Sequence, residues 1–337
     1  LKQMHLNRSK NNWTNWHHKF HKQFINDKKF IPKGACLLIA VSGGQDSMAL
    51  MTLINDIKDQ HDWKINVWHG DHKWHSDSTH YANKLRNYCK NKKIPFYIDT
   101  ANEKEITSED SARNWRYERL GKTIEELISK EKTISNWHIL TGHTSTDNTE
   151  TFILNLARGS NYAGLSGIPR KRLINNKYPL GRPILIFNRK ETNTICQEMQ
   201  IPFWEDPTNL DLSIKRNLIR HKILPYLESI YPGCTKRINQ FIGKMNNYSI
   251  EQADLSKLAL QACKNNTGIK REVLNNLSLE ARCTIMHALI KENNLKQISA
   301  ENLESICIQI FKKNNGEIYL HDELKIVWNK DIIKLKI

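Results

Sequence analysis

The chain has 337 residues, 39% of them apolar, which is enough for one large α/β domain and a smaller one, each burying its own core. Lysine and arginine number 51 against 35 aspartates and glutamates, a formal net charge of +16, so a polyanion such as nucleic acid is the expected partner; a biased, AT-rich genome rich in Lys, Asn and Ile codons is the competing explanation. No apolar run approaches the roughly 18 residues that span a membrane and no signal-peptide core opens the sequence, so a soluble protein without membrane contact is expected.

Residues 1–31 are polar and basic, with Trp13, Trp16, Phe20 and Phe24 at spacings of three and four. That spacing predicts an amphipathic helix packed on the domain that follows, with an acid-poor transit peptide as the alternative. Ala35 to Val41 is a continuous apolar run, expected of a buried parallel strand. It meets Ser42-Gly43-Gly44-Gln45-Asp46-Ser47, and Met48 to Ile54 then reads as a helix. Further strands are expected at 64–69, 95–98 and 137–141, with helices at 77–91, 109–130 and 146–158. Strands alternating with helices predict an α/β fold: a doubly wound, mostly parallel sheet over residues 32–215. From 216 to 337 the alternation fades, and a smaller, mainly helical domain is expected, ending in a hairpin within 316–337. The seven cysteines (36, 89, 196, 234, 263, 283 and 307) include no C-x-x-C pair, which argues against a zinc ribbon or an iron–sulfur site and fits a reducing compartment.

The loop from Ser42 to Ser47 carries the most chemistry. Glycines between strand and helix let backbone N–H groups approach an anion, and the helix adds its positive end. Ser42 and Ser47 offer hydroxyls to phosphate oxygens, while Asp46 is a hard ligand suited to Mg²⁺. The pattern is neither GxxxxGK[ST] nor GxGxxG. A glycine turn that binds nothing is the plain alternative. Elsewhere, His69, Asp71, His72 and His75 admit a metal site, although loop histidines in a basic protein commonly meet solvent or phosphate. Arg113 and Arg116 stand one turn apart, suited to a shared anion or to a solvated face with Glu109 and Glu118. Asp147 and Glu150 share a helix face and can hold an ammonium group, or simply complement the helix dipole.

Ser-Gly-Gly-x-Asp-Ser after a strand resembles the PP-loop of the N-type ATP pyrophosphatases, which cut ATP between its α and β phosphates. Four further segments resemble the tRNA(Ile)-lysidine synthases within that group, the cyanobacterial and plastid branch in particular. Trp68-His69-Gly70-Asp71-His72-Lys73-Trp74 matches the stretch after the second strand. Glu109 to Tyr117 matches E-x-x-A-R-x-x-R-Y. His143 to Thr151 matches H-T-x-D-D-x-x-E-T, with Thr146 in place of the first Asp, which leaves a role for that carboxylate in doubt. Arg158-Gly159-Ser160 with Gly164, Leu165 and Gly167, then Glu205 to Asn209 and Arg216 to His221, match the family's glycine-rich loop and E-D-x-[ST]-N…R-N-x-I-R-H signature. The matches run in order from about residue 35 to 225.

The resemblance implies a ligase that uses ATP and Mg²⁺ to join free L-lysine to C2 of the wobble cytidine of tRNA(Ile) with a CAU anticodon, through an adenylated base. It further implies that Ser42, Gly43, Gly44, Gln45, Asp46 and Ser47 bind ATP, with Asp46 near the metal. Asp147 and Glu150 would hold the lysine, one of them taking its proton, and Arg113 would hold a carboxylate or the α-phosphate. Arg170, Lys171 and Arg172, in a mobile loop, and Arg216 and Arg220 would contact tRNA. A tRNA thiolase of the same group and an inactive tRNA-binding homologue are the alternatives. The sequence admits a homodimer without specifying one. The branch and the Asn/Lys/Ile-rich composition point to the chloroplast stroma, with bacterial cytoplasm as the alternative.

Overall fold

Cys36 to Ala40 has no polar side chain, and a strand with that composition is stable only where both faces are covered. In the computed structural model, which describes residues 13–73, 77–102, 106, 108–131, 136–204, 207–265, 267–293, 298–321 and 324–336, it is a central strand of a six-stranded sheet. The strands are β1 (Cys36–Ala40), β2 (Lys64–Asp71), β3 (Phe96–Thr100), β4 (Trp137–Thr141), β5 (Lys171–Ile174) and β6 (Tyr178–Gly181), in the order β3-β2-β1-β4-β6-β5. All neighbours are parallel except β5, which pairs antiparallel with β6 at the edge. Period-two alternation sends Leu37 and Ile39 into one apolar layer and Cys36 and Leu38 into the other.

The first layer holds α1 (Asn15–Asn26) and α2 (Gln45–Ile57), whose Phe20, Phe24, Leu50, Leu53 and Ile57 are buried with it. Thr14 caps α1, which buries Phe20 and Phe24 as the three–four spacing predicts. Below the other face lies α4 (Glu109–Glu131), burying Leu120, Ile124 and Leu127, while α3 (Ser78–Asn91) packs Leu85 and Cys89 into the first layer. Each fully buried leucine contributes about 1.5–3 kcal/mol, so each layer gains many such increments. The strand order reverses between β1 and β4, whose carboxyl ends are level, Ala40 opposite Thr141. That reversal leaves a crevice beyond the strand ends, the usual ligand position in open α/β sheets. Along its rim run α5 (Ser145–Ala157), α6 (Tyr162–Leu165), α7 (Arg189–Glu198) and α8 (Lys215–Leu218), then a π-helical turn (Ile219–Ile223) and α9 (Leu224–Ile230).

The chain divides into two units, Leu1–Ile242 and Gly243–Ile337, so the observed boundary falls within α10 (Cys234–Cys263) rather than at 215/216. Residues 216–242 stay with the first unit because Arg216, Arg220 and Asn239 are bonded to α5. The second unit is mixed, not only helical. It holds α11 (Arg271–Asn275), α12 (Leu279–Glu292) and α13 (Ala300–Lys312). Its five-stranded antiparallel sheet contains β7 (Lys264–Asn265), β8 (Gly268–Lys270), β9 (Gly316–His321), β10 (Leu324–Trp328) and β11 (Ile332–Lys336), a meander where a hairpin was expected. Buried Arg271 donates to the carbonyls of Ile310, Lys313, Asn314 and Asn329, satisfying the free end of α13. No described helix is long and apolar enough to cross a membrane.

Candidate active site

The loop after β1 is built to leave donors open. Ser47 Oγ accepts from the Ser42 N–H at 3.2 Å and donates to the Gly44 carbonyl at 2.9 Å, which folds the loop over the start of α2. Gly44 occupies the N-cap and supplies no side-chain acceptor, so the first N–H groups of α2 remain for a ligand. Gly43 has φ +92°, a backbone only glycine adopts readily, and a Cβ there would lie 2.8 Å from Trp204 Cε3. Trp204 also donates its N–H to the Gly43 carbonyl at 3.0 Å, so this residue, which no motif marked, braces the loop. Gly142 passes close enough that a Cβ would sit 3.0 Å from the Ser47 backbone, which ties the end of β4 to the same loop.

Two loop side chains do not face the crevice openly. Gln45 Nε2 donates to the Arg189 carbonyl at 2.7 Å and to Thr192 Oγ1 at 3.0 Å. Asp46 pairs with Arg189 Nη1 at 2.9 Å and accepts from Thr192 Oγ1. Burial pushes the Asp46 carboxyl above its ordinary range, against the pull of Arg189. Arg189 and Thr192, which sequence reading missed, thus lock α7 to the phosphate loop. Thr146 belongs to the same joint, because its Oγ1 accepts the Arg189 N–H at 3.0 Å. The hydroxyl that replaces an aspartate in the motif holds the start of α7.

Thr144 caps α5, and Asp147 completes the capping box by accepting the Thr144 N–H at 2.7 Å. The expected carboxylate pair, Asp147 and Glu150, is there, but so are the two arginines expected to meet tRNA. Glu150, with no exposed side-chain surface, accepts from Arg216 Nε at 2.7 Å and from Arg220 Nε at 2.6 Å and Nη2 at 2.9 Å. Asp147 Oδ1 accepts from Arg216 Nη2 at 2.9 Å and Arg220 Nη2 at 3.2 Å. Burial works to raise the Asp147 carboxyl, but Arg216, His143 and Arg220 together hold it well below the usual carboxylate range. Burial keeps the His143 imidazole neutral, and its Nδ1 lies 2.9 Å from Thr141 Oγ1. Glu150 and Arg216 stand 66 residues apart along the chain, and neither motif gave a hint that the two would close on each other.

Arg170, Lys171 and Arg172 were expected in a mobile loop; instead Lys171 and Arg172 begin β5 and Arg170 directly precedes it. Arg170 Nη1 meets Asp27 at 3.1 Å, with its guanidinium 3.7 Å from the Phe30 ring centroid. Lys171 Nζ donates to the Lys29 carbonyl at 2.7 Å. Arg172 turns inward over the Tyr117 ring at 4.5 Å, opposite Arg113 at 5.3 Å. Gly167, at φ +69°, lies where a Cβ would strike Asn148 Oδ1, which accepts the Ile168 N–H at 2.6 Å. His69 Nδ1 lies 2.8 Å from the Val41 carbonyl and His72 packs on Trp115. Among the described residues no group of three His, Cys, Asp or Glu side chains is placed to hold a metal ion. Trp74, Glu205 and Asp206 lie outside the described residues.

Residues 14–227 match the family described as a PP-loop domain. A tRNA(Ile)-lysidine synthase of Prochlorococcus marinus subsp. pastoris is 54% identical over 98% of both chains. That of Parasynechococcus marenigrum is 35% identical, over 96% of this chain and 95% of the relative. Among solved structures, the U34-tRNA thiolase NcsA of Methanococcus maripaludis, with its [4Fe-4S] cluster, aligns with a TM-score of 0.52 at 15% identity over 68% of this chain and 80% of that one. That likeness is one of fold. With the phosphate loop, the α5 motif and a full-length match in agreement, the chain belongs to the tRNA(Ile)-lysidine synthase family of PP-loop proteins.

Proposed function

We propose that this protein joins free lysine to C2 of the wobble cytidine of tRNA(Ile) with a CAU anticodon, converting ATP to AMP and pyrophosphate. The observation that carries the reading is the phosphate loop set beside a cluster of buried carboxylates and guanidiniums beyond the carboxyl ends of the central strands β1 and β4. The open N–H groups of the loop and the start of α2 bind the ATP phosphates. The cytosine C2 oxygen attacks the α-phosphate and pyrophosphate leaves; the lysine ε-amine then attacks C2 and AMP leaves. Such sites hold Mg²⁺ by one or two carboxylates together with substrate phosphates. Asp46 is the hard carboxylate at the loop that would hold the ion, exchanging its pairing with Arg189 for it, and the ion would offset charge on the departing pyrophosphate.

Asp147 and Glu150 orient the amino acid, and Asp147, held below its usual range, is too weak a base to deprotonate it. Arg216 and Arg220 fix those carboxylates, and tRNA contacts fall to other cations of this basic chain. A sulfur-transfer reading has less support. The cysteine beside the loop, Cys196, donates to the Gln45 carbonyl at 3.4 Å, and burial pushes its thiol up to about 12, away from the reactive thiolate. The relatives compared are cyanobacterial, which supports a bacterial cytoplasm over the chloroplast stroma expected from composition. The test is incorporation of radiolabelled lysine into unmodified tRNA(Ile) with a CAU anticodon. ATP-dependent labelling that is absent with tRNA(Met) is the expected result. ATP cleavage to AMP without labelling would retain the phosphate-loop assignment and discard the lysine.

A further inference from the structure

The phosphate loop carries no cation of its own. Ser42-Gly43-Gly44-Gln45-Asp46-Ser47 contains neither lysine nor arginine, and its one charged side chain, Asp46, has the same sign as a phosphate. Loops of the GxxxxGK[ST] kind meet the outer phosphates with a lysine of their own. Open backbone N–H groups and a helix end supply only partial positive charge. A site that parts ATP from pyrophosphate therefore needs a full cation from another segment.

Among the described residues, Arg189 is the one cation hydrogen-bonded to a side chain of this loop. Its backbone is fixed from two sides. The N–H donates to Thr146 Oγ1 at 3.0 Å, and the carbonyl accepts from Gln45 Nε2 at 2.7 Å and from Thr192 Oγ1 at 3.0 Å. The first turn of α7 is thus held between the first turns of α2 and α5, and the side chain keeps the freedom to turn. That side chain is 35% exposed, whereas its partner Asp46 is 13% exposed. Nη1 donates to Asp46, while Nε and Nη2 donate to nothing among the described residues. Open guanidinium donors therefore stand beside the open N–H groups of the loop.

We propose that Arg189 is the phosphate-binding side chain of this loop and takes the pyrophosphate end of ATP, the β and γ phosphates. This inference rests on the reading that ATP is cut to AMP and pyrophosphate. Without nucleotide, the pairing with Asp46 holds the guanidinium at the loop. Nη1 gives up Asp46 as that carboxylate takes the ion, and the whole planar fork of N–H donors then suits a phosphate. When the bond from the α-phosphorus to the bridging oxygen breaks, its electron pair stays on pyrophosphate. Arg189 offsets the charge that gathers there.

The test measures binding of ATP, inorganic pyrophosphate and AMP to the full-length protein by calorimetry, with Mg²⁺ present, for the wild type, Arg189→Gln and Arg189→Lys. Glutamine can still donate to Asp46, and AMP carries the α-phosphate alone. Arg189→Gln should weaken ATP and pyrophosphate about tenfold or more, the scale of one charge-assisted hydrogen bond, and leave AMP within about twofold. Arg189→Lys should recover part of the loss. Unchanged binding of ATP and pyrophosphate overturns the inference. So does an equal loss with AMP, which would show a loop that has lost its shape. The wild type gives a check that needs no variant: pyrophosphate should shield Arg189 from an arginine-specific dicarbonyl reagent, and AMP should not. Modification of Arg189 at the same rate with and without pyrophosphate overturns the inference as well. A wild type that binds neither ATP nor pyrophosphate defeats the phosphate-loop reading itself, and Arg189's role with it.

Discussion

Replacing Glu150 with Gln tests the centre of the site, because the side chain is fully buried and accepts three hydrogen bonds from Arg216 and Arg220. Glutamine keeps the shape and one acceptor oxygen, but it turns an NH₂ toward a guanidinium and removes one negative charge. Each charge-assisted bond is worth about 1.5–3 kcal/mol, and breaking one partner of a buried pair typically costs about 3–5 kcal/mol. Asp147 remains to share two cations, so the expected loss lies within that second range. For a unit the size of Leu1–Ile242 this corresponds to a fall in Tm of roughly 6–20 °C. Scanning calorimetry of the ligand-free protein measures it, and added salt should change the difference little, since buried pairs are poorly screened. If Glu150 served only to bind lysine, Glu150→Gln would melt with the wild type and lose only the stabilisation that lysine confers. A fall below about 2 °C would therefore refute the ion-pair reasoning. Adding Arg220→Met to Glu150→Gln should recover part of the loss, because the second change removes an uncompensated buried charge.

Gly43→Ala combines a φ of +92° with a Cβ 2.8 Å from Trp204, so the backbone must shift, at a cost of about 1–3 kcal/mol. The KM for ATP should rise about tenfold or more with little change for lysine; ATP binding equal to the wild type would show that this loop is not the phosphate cradle. Stability should also fall with acid in two stages. Burial, with Lys171 nearby, pushes buried His138 down to about 4 from its ordinary 6.5. The unfolded chain therefore takes up that proton first, and the contribution is complete above pH 6.5 and lost as pH falls toward 4. Asp147, lowered from an ordinary 3.8, keeps its contribution above that value and loses it in stronger acid. Denaturant midpoints between pH 7 and pH 4 measure the first stage; buried His143, kept neutral over the same window, shares it, so His138→Gln should lessen the slope without abolishing it, and an unchanged slope would place the whole loss on other groups.

The α/β order, the buried parallel strands and the phosphate loop were legible in the sequence because they are local. An unbroken apolar run, a 3.6-residue period and a glycine turn each declare their conformation within a few residues. The same holds for α1, where Phe20 and Phe24 point inward as their spacing requires. The partners of those local pieces were not legible. Asp46 faces Arg189 across 143 residues, Glu150 meets Arg216 across 66, and Trp204 braces Gly43 from a segment beyond α7. Arg170 to Arg172, basic enough to suggest an RNA-binding loop, form the entry to an edge strand, held by Asp27, Lys29 and Tyr117. Residue types and short spacings determine which chemistry is available to this protein. Which charge neutralises which, and so which cations remain for a ligand, is decided only when distant segments close on a buried centre, where an unpaired charge is too costly to leave.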